Sequence, residues 1–86
     1  MKLDERIMRL IAVGASITAN CQPCLQINVA KALESGADEQ EIAAAIKVGR
    51  MVRKGAASKM DQFAASLNCI ALSLANVMDN ECGCDS

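Results

Sequence analysis

The stretch that decides the fold is CQPCLQINVAKALESGADEQEIAAAIKVG, residues 21–49. Its first half repeats apolar residues at helical spacing, and Gly36 is placed to cap the end of that helix. In the second half, Asp38 and Glu41 form an acidic version of the capping box. The pattern predicts one helix over about 21–34 and another over about 38–54. The predicted core-facing positions are Leu25, Val29, Ala32 and Leu33, then Ile42, Ala45, Ile46, Gly49 and Val52 or Arg53.

A further helix is predicted on each side of this stretch. The first covers residues 4–18, with acidic residues in its first turn, where the helix dipole favours negative charge. Its apolar face is predicted to contain Leu3, Ile7, Leu10, Ile11, Gly14, Ile17 and Thr18. Gly55 is predicted to end the third helix. Ser58 and Asp61 then repeat the capping box and predict a fourth helix over about 59–78.

The composition agrees with an all-α domain. The chain has 86 residues, of which 52% are hydrophobic, and Phe63 is the single aromatic residue. Alanine and leucine favour helix, and strand-favouring aromatics are nearly absent. We therefore expect a small helical bundle over residues 1–78 and a flexible, cysteine-containing tail over 79–86. The fourth helix is apolar nearly all round, which predicts that one of its faces packs on another copy of the chain.

Charge and hydropathy indicate which partners to exclude. The net charge is −1, and no basic face is evident, so a nucleic-acid partner is not expected. The first residues are acidic and lack a secretion cleavage site. The most apolar segment, residues 63–78, is interrupted by polar residues and is too short for a membrane span. The expected location is the cytoplasm, where cysteines are usually reduced, catalytic or metal-bound.

Residues 21–24 form a Cys-x-x-Cys sequence at a predicted helix start. Asn20 is predicted to cap this helix, and Pro23 fits its first turn. The two cysteines lie one turn apart on one face of the predicted helix. The same face continues with Asn28 and Lys31. Cys-x-x-Cys thiols at a helix N-terminus have a pKa of about 3.5–7.5, against about 8.5 for a free cysteine. The arrangement predicts a reactive thiolate or a readily exchanged disulfide.

Other interpretations of the cysteines remain open. Two small buried residues can fall close together by chance. A zinc site would need a second ligand pair, which the tail supplies only if it folds back to bring Cys82 and Cys84 to the pair. The tail pair has three interpretations of its own: an electron carrier to Cys21 and Cys24, a soft-metal ligand pair, or an inert terminus. Cys69 is expected in the core. No cofactor is expected, and metal binding is kept as an alternative.

From Asp4 to Met60 the sequence resembles the carboxymuconolactone decarboxylase family, most closely its alkylhydroperoxidase D-like branch. The resemblance lies in LIAVGASITANC followed by the Cys-x-x-Cys, KALESGA, the acidic capping box and EIAAAI. It implies an all-α fold assembled as homotrimers or homohexamers. It also implies a cysteine pair that reduces peroxides or exchanges disulfides with a protein partner or a small thiol. Cys21 and Cys24 take the attacking and resolving roles, in an order that the sequence leaves open.

The sequence departs from that branch at two positions. Where the branch usually has a histidine four residues after the second cysteine, this chain has Asn28, which cannot take a proton. Where the branch usually has a glutamate twelve residues before the first cysteine, this chain has Arg9. As a hypothesis, Arg9 supplies a fixed positive charge that favours the thiolate, and Asn28 orients a sulfur or an incoming disulfide. The simpler alternative is that Arg9 pairs with Glu5 on the helix surface.

These observations lead to the expected function. We expect a thiol–disulfide oxidoreductase with Cys21, Cys24, Asn28 and Arg9 in its catalytic site, with peroxidase activity as a secondary expectation. The alternatives are a family member that has lost catalysis and serves as an oligomeric binding or structural protein, and a thiol protein that binds metal. The decarboxylase chemistry in the family name is not expected, because the chain has no histidine.

Overall fold

The structure is a computed structural model that describes the backbone of residues 2–74 and the side chains of residues 2–68. It contains three helices, α1 (Glu5–Thr18), α2 (Gln22–Glu34) and α3 (Glu39–Leu74), and residues 2–74 include no strand. The predicted all-α class is therefore confirmed. The chain divides into two compact units, Met1–Gly55 and Ala56–Ser86. The predicted tail, 79–86, lies outside the described residues.

The helix ends follow from side-chain and glycine caps. Asp4 is the N-cap of α1, and its carboxylate accepts a 2.8 Å hydrogen bond from the backbone N–H of Ile7. Gly36 ends α2 as predicted, with a φ of 100° that glycine adopts without penalty. There the N–H groups of Gly36 and Ala37 donate to the carbonyls of Leu33 and Ala32, which is the Schellman arrangement. Asp38 and Glu41 form the predicted reciprocal capping box at the start of α3.

The predicted end of the third helix at Gly55 is wrong. Helix α3 runs from Glu39 to Leu74 without a break, so Ser58 and Asp61 are interior helical residues and do not begin a fourth helix. A single glycine costs a helix about 1 kcal/mol relative to alanine, which its helix-forming neighbours can offset. Unlike Gly36, Gly55 has no positive φ. The predicted residues 75–78 of that helix lie beyond the described part of the chain.

The core lies among α1, α2 and the first turns of α3. Its buried apolar residues are Val13, Ala32, Ala37 and Ile42, packed with Leu10, Leu25, Val29, Ala45 and Ile46. The predicted stripes of α2 and α3 are largely confirmed, except that Leu33 is exposed. The predicted face of α1 is partly wrong, because Val13 is completely buried and Ile11 is exposed. Helix α1 presents one side to α2 and a second side to α3, so a single stripe does not describe it.

Helices α1 and α3 approach closely where two glycines meet. A side-chain carbon placed on Gly49 would overlap the carbonyl oxygen of Gly14 and would lie 2.8 Å from Cβ of Ile17. The Thr18 hydroxyl donates to the carbonyl of Gly14 at 3.2 Å and to that of Gly49 at 3.1 Å. Glycine at both positions therefore allows backbone-to-backbone contact, and this contact places the following turn of α3 beside the end of α1.

None of the helices in the described range has a stretch long and apolar enough to cross a bilayer. In the single chain, the large apolar side chains of the second half of α3 are exposed, namely Met60, Phe63 and Leu67. The predicted packing of this face on another copy of the chain stays a prediction. The predicted core position of Cys69 lies outside the described side chains.

Candidate functional site

The two cysteines of residues 21–24 are joined by a disulfide at the start of α2. Cys21 is the N-cap residue of the helix, and Cys24 lies in its first turn, with a Cα–Cα distance of 5.3 Å between them. Cys21 is half-buried, whereas Cys24 is exposed. The sulfurs are thus bonded to each other at the electropositive end of the helix, and one of them is open to solvent.

The backbone around the pair is fixed by a short turn. Asn20 has a left-handed conformation, with a φ of 56°, which asparagine tolerates better than most residues. The N–H of Cys21 donates to the carbonyl of Ser16 at 3.0 Å. The prediction that Asn20 caps α2 is wrong: Cys21 holds the N-cap position, and its side chain makes no capping hydrogen bond. The side chain of Asn20 instead accepts a hydrogen bond from Arg53.

Arg9 and Asn28 form a hydrogen-bonded chain that ends at the backbone of Cys24. The guanidinium of Arg9 donates from Nε to Glu5 at 2.8 Å and from Nη1 to Oδ1 of Asn28 at 3.2 Å. Nδ2 of Asn28 in turn donates to the backbone carbonyl of Cys24 at 2.9 Å. The pairing of Arg9 with Glu5 is thus observed, while the hypothesis that its charge favours a thiolate stays a prediction.

This chain of contacts changes the expected roles of the two residues. Both polar atoms of Asn28 are used within the protein, one by Arg9 and one by the carbonyl of Cys24, so its observed contacts are with backbone and arginine. The charge of Arg9 is matched by the carboxylate of Glu5. Arg9 and Asn28 are therefore placed to fix the first turn of α2, and a strong electrostatic effect of Arg9 on a thiolate is not expected.

Arg53 is a site residue that the sequence analysis missed. Its Nη1 atom donates to Oδ1 of Asn20 at 3.0 Å and to the carbonyl of Ile17 at 3.3 Å. The side chain lines a cavity of about 180 Å³ that also includes Cys21. The signal was present in the sequence, since Arg53 lies four residues after the buried Gly49 and so continues its face of α3. The sequence analysis placed Arg53 on that face as an alternative to Val52 and gave it no role beside the cysteines.

Metal ligands are sparse in the described part of the chain. No group of three or more histidine, cysteine, aspartate or glutamate side chains in that part could hold an ion. The alternative zinc site also requires Cys82 and Cys84, which lie outside the described residues. The two cysteines at the start of α2 are bonded to each other, so in this oxidised state their sulfurs are not thiolate ligands.

Comparison with known proteins agrees with the geometry at the level of the family. No curated protein and no solved structure matches the sequence. The model of the carboxymuconolactone decarboxylase family matches residues 1–67, which contain the cysteine pair, Arg9, Asn28 and Arg53, and the chain therefore belongs to this family.

Proposed function

We propose that this chain is a thiol–disulfide oxidoreductase of the alkylhydroperoxidase D-like branch of its family. The observation that carries the proposal is the Cys21–Cys24 disulfide at the start of α2, with Cys24 exposed. A helix N-terminus favours the thiolate, and the Cα–Cα distance of 5.3 Å lies in the range that a disulfide requires. Family membership supports the same interpretation.

The reaction needs only sulfur chemistry. In the reduced protein, one thiolate of the pair attacks a substrate disulfide, forming a mixed disulfide and releasing one substrate thiolate. The second cysteine then attacks the mixed disulfide, which closes the Cys21–Cys24 bond and releases the second substrate thiolate. Two electrons pass from the pair to the substrate. A dithiol donor returns the pair to the reduced state by the same steps in reverse.

Peroxide reduction is proposed as a slower, secondary activity. Cleavage of a peroxide is helped by a group that exchanges a proton with the leaving oxygen. At the two positions where the branch usually has glutamate and histidine, this chain has Arg9 and Asn28, and neither side chain exchanges a proton near neutral pH. Disulfide exchange requires a thiolate and a good leaving thiolate and is therefore the reaction that these residues favour.

The test uses the positions of the trypsin sites. Cleavage after Arg9 and Lys31 releases residues 10–31, which contain Cys21 and Cys24 and none of the other three cysteines. The intact protein is equilibrated in dithiol buffers of graded potential, alkylated and digested. We expect this peptide to change reversibly between a doubly alkylated form and an unalkylated disulfide form, which is two hydrogens lighter than the free dithiol peptide. The proportion of the two forms in each buffer gives the reduction potential of the pair.

Matched variants complete the test. Cys21→Ser should abolish both the light form and the reduction of a small disulfide, whereas Cys82→Ser should leave the light form of residues 10–31 in place. A peptide that stays alkylated under all buffers, or a wild-type protein that transfers no electrons to any disulfide, would favour the alternative of a family member without catalysis. Stoichiometric zinc or copper in the purified protein would favour the metal-binding alternative.

We also propose that the chain acts as a homotrimer or homohexamer. An apolar groove of about 590 Å³ lies between α1 and the first half of α3, and its lining includes the exposed residues Ile11, Val48 and Val52. Apolar patches of this kind usually mark contact surfaces. Light scattering should give a mass of three or six chains, and Val48→Glu should lower it. Ile27→Glu, a change of an exposed residue outside the groove, should not. A monomeric wild-type protein would contradict this proposal.

A further inference from the structure

A cavity of about 180 Å³ opens beside Cys21. Ile17 and Leu25 contribute apolar surface, while Asn20, Gln22 and Arg53 contribute polar groups. Sites for drug-sized ligands usually measure about 300–1,000 Å³, so this cavity admits one short arm of a small molecule. Cys21 lines the cavity and Cys24 does not. The two cysteines of one disulfide therefore differ in their surroundings.

The guanidinium of Arg53, which lines this cavity, has no acidic partner in the described part of the chain. Arg6 is paired with Glu41 and Arg9 with Glu5, but no carboxylate among residues 2–68 pairs with Arg53. Its hydrogen bonds in that range are made by Nη1 alone, to one amide oxygen and one carbonyl. A guanidinium carries five N–H donors in a planar fork. Nε and Nη2 thus remain to bind an anion, and the bonds of Nη1 hold the fork in place.

We propose that the cavity beside Cys21 binds a carboxylate-bearing arm of a small disulfide substrate, with Arg53 as the residue that recognises the carboxylate. Carboxylates suit this position because they accept two parallel hydrogen bonds from a guanidinium. The short cavity then places the disulfide of the substrate beside Cys21, which is one of its lining residues. This inference rests on the proposed oxidoreductase function and adds the substrate class and a specificity-determining residue to it.

The inference also assigns the order of the two cysteines. The thiolate of Cys21 attacks the sulfur of the arm bound at Arg53, forming a mixed disulfide and releasing the other arm as a thiolate. Cys24, which is exposed, then attacks the sulfur of Cys21. The protein disulfide closes, and the bound arm leaves as the second thiolate. A dithiol reductant supplies the two electrons for the next cycle.

The test compares two disulfides that differ only in charge. The first is 3,3′-dithiodipropionate, which has a carboxylate on each arm, and the second is its neutral diamide. Full-length Cys24→Ser protein is reduced and mixed with each compound, and the mixed disulfide on residues 10–31 is followed by mass. The measured quantity is the ratio of the two rates, because the ratio cancels the general reactivity of the thiol. The ratio is the rate with the dicarboxylate divided by the rate with the diamide. Adding Arg53→Gln should lower this ratio about 10-fold, as expected for loss of a charge-assisted hydrogen bond.

Three controls separate recognition from general damage. Arg50→Gln removes an exposed arginine one turn earlier on α3, outside the cavity, and should leave the ratio unchanged. Arg53→Lys should retain part of the preference, since it keeps the charge and loses the planar fork. In Cys21→Ser protein, the only thiol left within residues 10–31 is that of Cys24, which does not line the cavity. Arg53→Gln should then change the ratio of the two rates less than about twofold, because solvent screens a distant charge.

The possible outcomes are distinct. If the wild-type protein reduces both compounds, and the ratio measured at Cys21 is insensitive to Arg53→Gln, the inference is overturned while the proposed function stands. If the wild-type protein reduces neither compound while residues 10–31 still show the reversible disulfide, the inference is overturned and the proposed function stands. If residues 10–31 stay alkylated in every buffer as well, the proposed function fails and the inference fails with it. Should Arg53→Gln not fold, the deciding measurement is the dependence of the rate ratio on salt concentration in the Cys24→Ser protein that retains Arg53. A preference for the carboxylate that weakens with salt supports the inference, and no preference at low salt overturns it.

Discussion

The contact between Gly14 and Gly49 predicts that one added methyl group will separate two helices. In Gly49→Ala, the new carbon would overlap the backbone carbonyl of Gly14 and would lie 2.8 Å from Cβ of Ile17, whereas ordinary contact begins at 3.4 Å. Neither neighbour can rotate away, because one is backbone and the other is the first atom of a side chain. Helices α1 and α3 must therefore move apart by at least about 0.6 Å at this point.

The magnitude follows from two opposing effects. Alanine is about 1 kcal/mol more favourable than glycine in a helix interior, while overpacking a close contact costs about 1–3 kcal/mol. Because the obstacle is rigid, we take the upper end and expect Gly49→Ala to lower the free energy of unfolding by about 2 kcal/mol. The matched control is Gly55→Ala in the same helix, where the added carbon meets nothing within 4 Å. That variant should gain about 1 kcal/mol.

The assay is thermal unfolding of the two variants at equal protein concentration. A difference of about 3 kcal/mol between them corresponds to at least about 12 °C in Tm for a domain of this size. Gly49→Ala should also loosen the site, because Arg53 follows Gly49 by one turn and Thr18 bridges both glycine carbonyls. If the two variants melt at the same temperature, the close crossing of α1 and α3 is wrong.

Three further predictions concern the loop after α2 and the residues beside the disulfide. Gly36→Ala forces a side chain into a φ of 100° and should cost about 1–2 kcal/mol in chemical unfolding, with Gly36→Asn costing less; equal stability of all three would contradict the cap. Asn28→His places a proton-exchanging group one turn after Cys24, and should speed peroxide reduction and add an ionisation near pH 6.5 to its rate profile, which an unchanged profile would contradict. Arg9→Ala removes a positive charge that Glu5 already pairs, so it should raise the thiol pKa only slightly, as measured by alkylation rate against pH; an unchanged profile would remove the hypothesis that Arg9 favours the thiolate.

Local sequence signals predicted the parts of the fold that depend on local chemistry. The capping box at Asp38 and Glu41 and the glycine cap at Gly36 both lie where the sequence placed them, because each is decided by residues a few positions apart. Gly36 and Gly55 were both predicted to end helices, and yet α3 continues through Gly55. A cap glycine and a tolerated helix glycine differ in backbone conformation, which a single residue name does not encode.

The remaining features depend on contacts between residues far apart in the chain. Val13 is buried because α1 packs against both α2 and α3. A single apolar stripe of 3.6-residue period predicts one buried face of a helix and misses the second. The pair at Cys21 and Cys24 was evident from spacing and position. The helix face that carries Arg53 was also evident from spacing, but its place beside Cys21 was not. The two residues are 32 positions apart, and the close crossing of α1 and α3 brings them together. The bonded cysteine pair was thus predictable, while the role proposed for Arg53 was not.

If the pair exchanges electrons as proposed, the unused cap at the start of α2 would couple its reduction to the stability of the helix. A capping side chain normally accepts from the N–H of the second or third helical residue, and here the second is Pro23, which has none. In the disulfide, Cys21 makes no such bond. After reduction, its freed thiolate can accept the one donor left, the N–H of Cys24. A cap is worth about 1 kcal/mol, or about 20 mV for two electrons. Each gain of electrons would then tighten the first turn of the helix, and the pair would be correspondingly more oxidising.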